Sequence, residues 1–288
     1  MNTFSIVALV AMLALASASP FRGKSRAIND KECGTSQVVN RIVGGSTAQK
    51  GQYPWIASLR FLRLGKDYHT CGCSIIDDQW ILVAAHCFIN SKNPANYMVR
   101  VGTFDQTAGD SETEAKEYEV EKIIQHKDFS MLIKIQNDIA LLKLKQKIDF
   151  SSDYVNRVCL PEQANYPTDG EILTVAGWGD EVDGQGQHIP SLLKNTDLVA
   201  KKDADCKSAW GSFMWGGEQM LCAEADNTSP CVGDSGGPLM MMDDATGKRV
   251  QVGVVSFGES SCAGPRPPVF TRVSYYLDWI NDNIKANM

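Results

Sequence analysis

Beyond its first twenty residues the chain lacks any apolar run long enough to span a bilayer, and nowhere do more than two basic residues stand together. The first absence leaves no candidate transmembrane helix in the body of the protein. The second, with a net charge of −6, gives no footing to a nucleic acid or an anionic membrane surface. No CxxC pair occurs among the nine cysteines, so zinc and thioredoxin-like sites lack their spacing. Internal repeats and low-complexity tracts are missing too. Histidine is scarce, with only His69, His86, His126 and His188 in 288 residues. Any chemistry that needs an imidazole base must draw on these four.

What is present reads as an ordinary globular chain, 43% hydrophobic and 22% charged. Its length suits one large domain or two halves sharing an interface. The opening MNTFSIVALVAMLALASASP holds an apolar run from Ile6 to Ala16, followed by the small-residue triplet Ala16-Ser17-Ala18. Residues 1–18 are therefore expected to be a secretory signal peptide, although no Lys or Arg precedes the run. Nine cysteines suit the oxidising compartment that such a leader implies. Their odd number leaves at least one thiol without an intramolecular partner.

Residues 19–41 are polar and without apolar periodicity, as in a propeptide or linker. From Ile42 onward short runs such as WIASLRF, QWILVAA, YMVRVGTF, DIALLKL, EILTVAGW and QVGVVSFG alternate with Gly, Pro, Asn and Asp. Their β-branched and aromatic content predicts an all-β sandwich or barrel fold. The C-terminus differs: Val273, Leu277, Ile280 and Ile284 recur at helical spacing and predict an amphipathic helix. The acidic stretch 108–121 reads as a surface loop leading into a strand. His126 and His188 read as solvated side chains.

A serine hydroxyl becomes a nucleophile only when a base takes its proton and a third group holds that base in one tautomer. NTSPCVGDSGGPL places Ser235 between an aspartate and two glycines. By itself this is a nucleophile or merely a tight turn. His86 follows an apolar strand in WILVAAHC, and Asp138 heads the apolar strand NDIALLKL. A carboxylate there is either a turn residue or a buried, hydrogen-bonded group.

Together, RIVGG (41–45), AAHC (84–87), NDIALLKL (137–144), GWG (177–179), CVGDSGGPL (231–239) and VVSFG (254–258) resemble the chymotrypsin-like serine endopeptidases. The resemblance runs from Cys33 to the end of the chain. It implies two antiparallel six-stranded β-barrels with a C-terminal α-helix, residues 42–288 forming the protease domain and the halves dividing near residue 160. The chain order His, Asp, Ser separates this family from subtilisins and α/β-hydrolases. Ser235 is implied as nucleophile, His86 as general base and acid, and Asp138 as the orienting carboxylate. The N–H groups of Gly233 and Ser235 are implied as the oxyanion hole, with no metal and no cofactor.

The same resemblance implies a zymogen cut after Arg41, whose new Ile42 amino group pairs with Asp234. It selects the disulfides Cys33–Cys159, Cys71–Cys87, Cys206–Cys222 and Cys231–Cys262, the first tethering the propeptide. Leu173 and Met241 stand where many relatives carry a further bridge. Cys73 stands where relatives usually carry glycine. It is expected as a free buried thiol, the alternatives being competition with Cys71 for Cys87 or an intermolecular bridge. Ser229 matches the floor of the primary pocket, where a hydroxyl gives no partner to Arg or Lys. Ser256, Phe257 and Gly258 match the strand that pairs with substrate, and Pro268 a position where glycine is common. Large apolar residues are the first expectation and small aliphatic ones the second. The implied partners are protein or peptide substrates, a trypsin-like activating protease and protein inhibitors. A catalytically inactive binding homologue is the alternative. Asn227-Thr228-Ser229 is formally a glycosylation sequon, expected to stay unused because a proline follows. The acidic group Asp110, Glu112, Glu114 and Glu117 is expected to be solvated, with calcium binding the less favoured reading.

Overall fold

Runs of β-branched and aromatic residues between turn-forming Gly, Asn and Asp become short antiparallel strands here. The computed structural model describes residues 32–38 and 46–288, apart from 133, 163–165, 183–184, 187 and 263. The expected leader 1–18, with Arg41 and Ile42 of the expected cleavage site, lies outside the described residues.

A short β1 (Ser46–Thr47) precedes β2 (Ile56–Arg63), β3 (Lys66–Ile75), β4 (Trp80–Val83), β5 (Tyr97–Val101), β6 (Lys116–Gln125) and β7 (Ala140–Leu144). Strands β2 to β7 close into a barrel in the order β2-β3-β4-β7-β6-β5. Then follow β8 (Ile172–Gly177), β9 (Lys194–Ala200), β10 (Met220–Glu224), β11 (Pro238–Asp243), β12 (Lys248–Phe257) and β13 (Val269–Arg272). They run β9-β10-β13-β12-β11-β8, and a β8–β9 pairing closes this second ring, with β1 added beside β9. The fold is the expected pair of six-stranded antiparallel barrels.

Among the described residues two α-helices accompany them, α1 (Asp203–Met214) and α2 (Leu277–Ala286). Helix α2 buries Ile280 and Ile284 against the core of the first barrel, as their spacing predicts. Helix α1 was not legible in the sequence. It buries only Cys206 and Trp210, one helical turn apart, and it kinks at Gly211, so no long apolar stripe marks it. Among the described residues no helix is long and apolar enough to cross a membrane.

All four disulfides implied by the resemblance are formed. Cys73 is a buried free thiol whose Sγ donates to the Ala57 carbonyl at 3.4 Å, and burial pushes its pKa up. Leu173 and Met241 face each other across the β8–β11 ladder, both buried, filling the place of a bridge with apolar contact. The segment 32–38 is held by more than Cys33. Gly34 donates its N–H to the Arg157 carbonyl and accepts from the Arg249 N–H, each at 2.8 Å.

The barrels meet through specific side chains. Trp55 of the first barrel points its Nε1 at Met240 Sδ of the second, 2.9 Å away. Ser74 Oγ donates to Gln251 Oε1 at 2.6 Å. Thr271 Oγ1 donates to the Asp138 carbonyl at 2.7 Å, fixing the head of β7 against β13.

Candidate active site

The position of Asp138 follows from its neighbour. Asn137 adopts φ +50°, a left-handed turn that Asn tolerates better than most residues. Its side chain accepts from Tyr276 Oη at 2.9 Å and donates to the Asp128 carbonyl at 2.9 Å. The turn delivers Asp138 into the interface, 2% exposed. There Oδ1 accepts from the His86 backbone N–H at 2.8 Å, and Oδ2 accepts from His86 Nδ1 at 2.7 Å and Ser256 Oγ at 2.6 Å. Burial alone would push the Asp138 pKa up, but His86 and these donors hold it below the ordinary carboxylate value. For His86, burial opposes the proton, yet the Asp138 charge and hydrogen bond outweigh it and raise the pKa above 6.5. Because a carboxylate only accepts, Nδ1 carries the ring proton of the neutral imidazole, and Nε2 keeps a lone pair.

Ser235 sits in a turn tied to the first barrel. Its carbonyl oxygen lies 4.0 Å from Cys87 Sγ, one residue beyond His86. Among the described residues no hydrogen bond joins Ser235 Oγ to His86, so that link of the expected constellation is not closed. Gly233 adopts φ +105°, a conformation open to glycine, and an added Cβ would stand 3.1 Å from Gly179 Cα. Among the described residues the N–H groups of Gly233 and Ser235 have no protein acceptor.

Between them, Asp234 turns its carboxylate toward the GWG strand end. Oδ1 accepts from the Gly179 N–H at 2.8 Å and Oδ2 from the Cys231 N–H at 2.9 Å. A Cβ on Gly177 would stand 2.1 Å from Oδ1, and one on Gly179 2.1 Å from Oδ2. Both glycines are thus required by the carboxylate that packs against them. Burial pushes the Asp234 pKa up to about 6. Beside it opens a cavity of about 420 Å³, lined among others by Ser46, Gly177, Gly179, Asn195 and Ser229.

His69, which sequence reasoning left without a role, also reaches this turn. Its Nε2 lies 2.9 Å from the Gly233 carbonyl and its Nδ1 2.8 Å from Ser58 Oγ. A carbonyl can only accept, so Nε2 donates and Nδ1 accepts from Ser58. Burial lowers the His69 pKa to about 4, so the ring is neutral at ordinary pH. It fixes the Gly233 peptide and packs edge-on against Trp178 at 5.7 Å.

The remaining candidates gather on the second barrel. Ser256, Phe257 and Gly258 follow one another at the end of β12, and Gly258 faces Pro268: a Cβ on Gly258 would lie 3.8 Å from the Pro268 Cβ. Phe257 packs edge-on against Trp210 at 5.1 Å. Trp210 in turn donates Nε1–H to the Pro267 carbonyl at 2.8 Å and carries Arg266 over its face. Ser229 Oγ donates to the Pro230 carbonyl at 3.1 Å.

The trypsin family model matches residues 42–280. The chain belongs to the trypsin family of serine proteases. In this trypsin-family chain the matched span takes in both barrels and every candidate residue from Ile42 to Pro268. Two expectations about its surface are corrected. Glu112, read as part of a solvated acidic cluster, is buried, accepting from Thr103 Oγ1 at 2.7 Å and the Phe104 N–H at 2.8 Å. Glu114 pairs with Lys50 at 2.9 Å, and the Asp110 side chain lies outside the described residues. His126 is half-buried, its ring 5.5 Å from that of Tyr276 and 5.3 Å from that of Trp279. Neither contact could be read from charge patterning, because Glu112 meets Thr103 and Phe104 through the loop after β5 and His126 meets Tyr276 and Trp279 at the far end of the chain.

Proposed function

We propose that the chain is a secreted serine endopeptidase, made as a zymogen and opened by cleavage after Arg41. The observation that carries the reading is the buried carboxylate of Asp138, saturated by His86 and Ser256 so that His86 Nε2 retains its lone pair. In the cleaved enzyme Ser235 Oγ attacks the scissile carbonyl carbon while His86 Nε2 takes its proton. The Gly233 and Ser235 N–H groups hold the oxyanion as it forms. His86 then protonates the leaving amine, and water repeats the sequence to release the acyl group. His86 must be neutral to begin. Its raised pKa therefore places the acid limb of kcat/KM above pH 6.5, activity falling as pH drops through that value. An acid limb near pH 5 would contradict the assignment.

Activation is supported by where Ser46 lies. Ser46 and Asp234 line one cavity, and Ile42 stands four positions before Ser46. Four extended residues reach roughly 14 Å, which favours delivery of a freed amino group into the cavity that Ser46 shares with Asp234. Until then Asp234 is a buried carboxyl held by two N–H donors, with its pKa raised from 3.8 to about 6. A carboxyl whose folded pKa exceeds its unfolded one favours folding in its protonated form, and that contribution is lost as pH rises through the folded value. The intact chain is expected to lose about 3 kcal/mol from this group as pH rises from about 3 to about 7. After cleavage the ammonium partner should remove that loss. Denaturant unfolding of both forms across this range checks it, and parallel pH profiles would count against the pairing.

The neutral hydroxyl of Ser229 and the open Gly258 favour uncharged side chains in the primary pocket. Pro268 beside Gly258 limits its breadth. Large apolar or aromatic residues are proposed first and small aliphatic ones second. Such a pocket would not accept Arg41, so a separate trypsin-like protease is needed for activation. Four disulfides and the apolar leader favour an extracellular setting, where protein inhibitors would be the natural partners. The test is to cleave the recombinant chain after Arg41 and profile it on a peptide library, with Ser235→Ala as control. Turnover after Phe, Tyr or Leu that is absent in the control supports the reading. No turnover from a chain with a verified Ile42 terminus would leave the inactive homologue.

A further inference from the structure

The main chain that carries Asp138 makes a tight turn that does not hold itself. Asn137 sits in the left-handed region at φ +50°, and the Ile139 N–H closes onto the Asn137 carbonyl at 2.9 Å, with Asp138 at the centre of this three-residue turn. A left-handed non-glycine residue persists only where its surroundings fix it. Here the fixing groups come from the second barrel and from the end of the chain. Gln219, in the short 3₁₀ turn Gly217–Gln219 before β10, accepts the Asn137 N–H on Oε1 at 2.7 Å. Its own Nε2 donates to the Gly216 carbonyl at 3.2 Å, which orients the amide with its oxygen toward Asn137. Tyr276, just before α2, places its hydroxyl 2.9 Å from both Gln219 Oε1 and Asn137 Oδ1. Burial pushes the Tyr276 pKa up, so the phenol keeps the proton it donates.

The mechanism above uses neither Gln219 nor Tyr276. We infer that Gln219 is a positioning residue for Asp138, its amide oxygen holding the Asn137 N–H so that the carboxylate stays aimed at His86, with Tyr276 locking both amides. The inference rests on the peptidase reading above and deepens it by naming what aims the carboxylate from outside the cleft. On the other side of the turn, Thr271 Oγ1 holds the Asp138 carbonyl at 2.7 Å. With Gln219 in place the main chain is thus held both before and after the Asp138 Cα, and only side-chain torsion remains. Loss of the Gln219 oxygen would leave a donor without its acceptor at the left-handed residue and let the turn relax toward an ordinary conformation. The carboxylate would then shift relative to the ring it orients. A displacement of about 1 Å in a reacting constellation costs on the order of 10²-fold in rate.

The test compares Gln219→Leu, which removes the acceptor, with Gln219→Glu, which keeps an oxygen in the same place. In the enzyme cleaved after Arg41, Gln219→Leu is expected to lower kcat about 10–100-fold with KM nearly unchanged. Gln219→Glu should recover most of that loss. The acid limb of kcat/KM should also move to lower pH in Gln219→Leu, because Asp138 is the charged group that raises the His86 pKa. A purely structural role would scale the profile down without moving the limb. Tyr276→Phe should show the same shift at smaller size, and it supplies the readout if Gln219→Leu does not fold. In the uncut chain carrying Ser235→Ala, proton NMR of His86 Nδ1–H gives a readout without turnover. Its far-downfield resonance should move upfield in Gln219→Leu and stay in place in Gln219→Glu. An unmoved limb with an unmoved resonance, or equal losses in the leucine and glutamate variants, would overturn the inference. A parent without turnover would instead remove the peptidase reading and leave the resonance to decide the inference.

Discussion

Replacing Asp138 with asparagine is expected to lower kcat of the cleaved enzyme about 10⁴-fold at neutral pH, with little change in KM. The magnitude is that known for such triads, and the geometry here gives the reason. Three donors surround the carboxylate: the His86 N–H, His86 Nδ1 and Ser256 Oγ. An amide offers one oxygen and one NH₂, so either orientation sets a donor against a donor. The arrangement that keeps the backbone bond of His86 turns the NH₂ toward Nδ1. That forces the ring proton onto Nε2, which then has no lone pair to take the proton of Ser235. Ser256 Oγ can turn to accept from the new NH₂, which leaves in place the β12 main chain proposed to pair with substrate, so the loss should fall on kcat. Steady-state kinetics on a small amide substrate, with circular dichroism to verify folding, measures it. A loss below tenfold would remove Asp138 from the site.

The second large effect is expected from Asp234. In the cleaved chain, Asp234→Asn should reduce kcat/KM by about 10²–10⁴-fold, because breaking a buried ion pair costs about 3–5 kcal/mol. The inserted ammonium would lose its only charge partner in the reading proposed here and would return to water. The turn that carries Gly233 and Ser235 would then lose the group that holds its centre. The same equilibrium should appear in the parent at high pH. An α-amine has an ordinary pKa of about 8, and pairing raises it, so activity should fall on the alkaline side as the amine loses its proton. Arg41→Gln should mimic the intact chain, remaining uncut and inactive. A fully active Asp234→Asn enzyme, or a parent profile flat to about pH 11, would argue that the turn needs no such partner.

Much of this architecture was legible because its signals are local. Runs such as DIALLKL and QVGVVSFG carry the period and composition of strands, and they become β7 and the body of β12. The helical spacing of Leu277, Ile280 and Ile284 becomes α2. Strand β3 was harder, because its exposed first half, KDYHT, is polar and only its second half is buried. Helix α1 carries too little apolar surface to announce itself. Glu112 reads as one acid among several, since charge alone does not distinguish a solvated carboxylate from one that knits Thr103 and Phe104 together.

By itself, the sequence determined the candidate reacting groups and their chain order, the family through its motifs, and the barrel class through its strand patterns. Tertiary structure alone decided which groups meet. His86 and Asp138 are 52 positions apart, Ser256 and Asp138 are 118 apart, and His69 and the Gly233 carbonyl are 164 apart. Local periodicity reaches only a few residues along the chain, so it cannot assign these partners. The requirement for glycine on both sides of Trp178 is likewise invisible until Asp234 is seen packed between them. The same holds for Gln219, an ordinary polar residue in the sequence, 82 positions from the Asn137 N–H that its oxygen accepts. It acquires meaning only when the packing of the two barrels sets it against the turn that carries Asp138 and takes the place of water there.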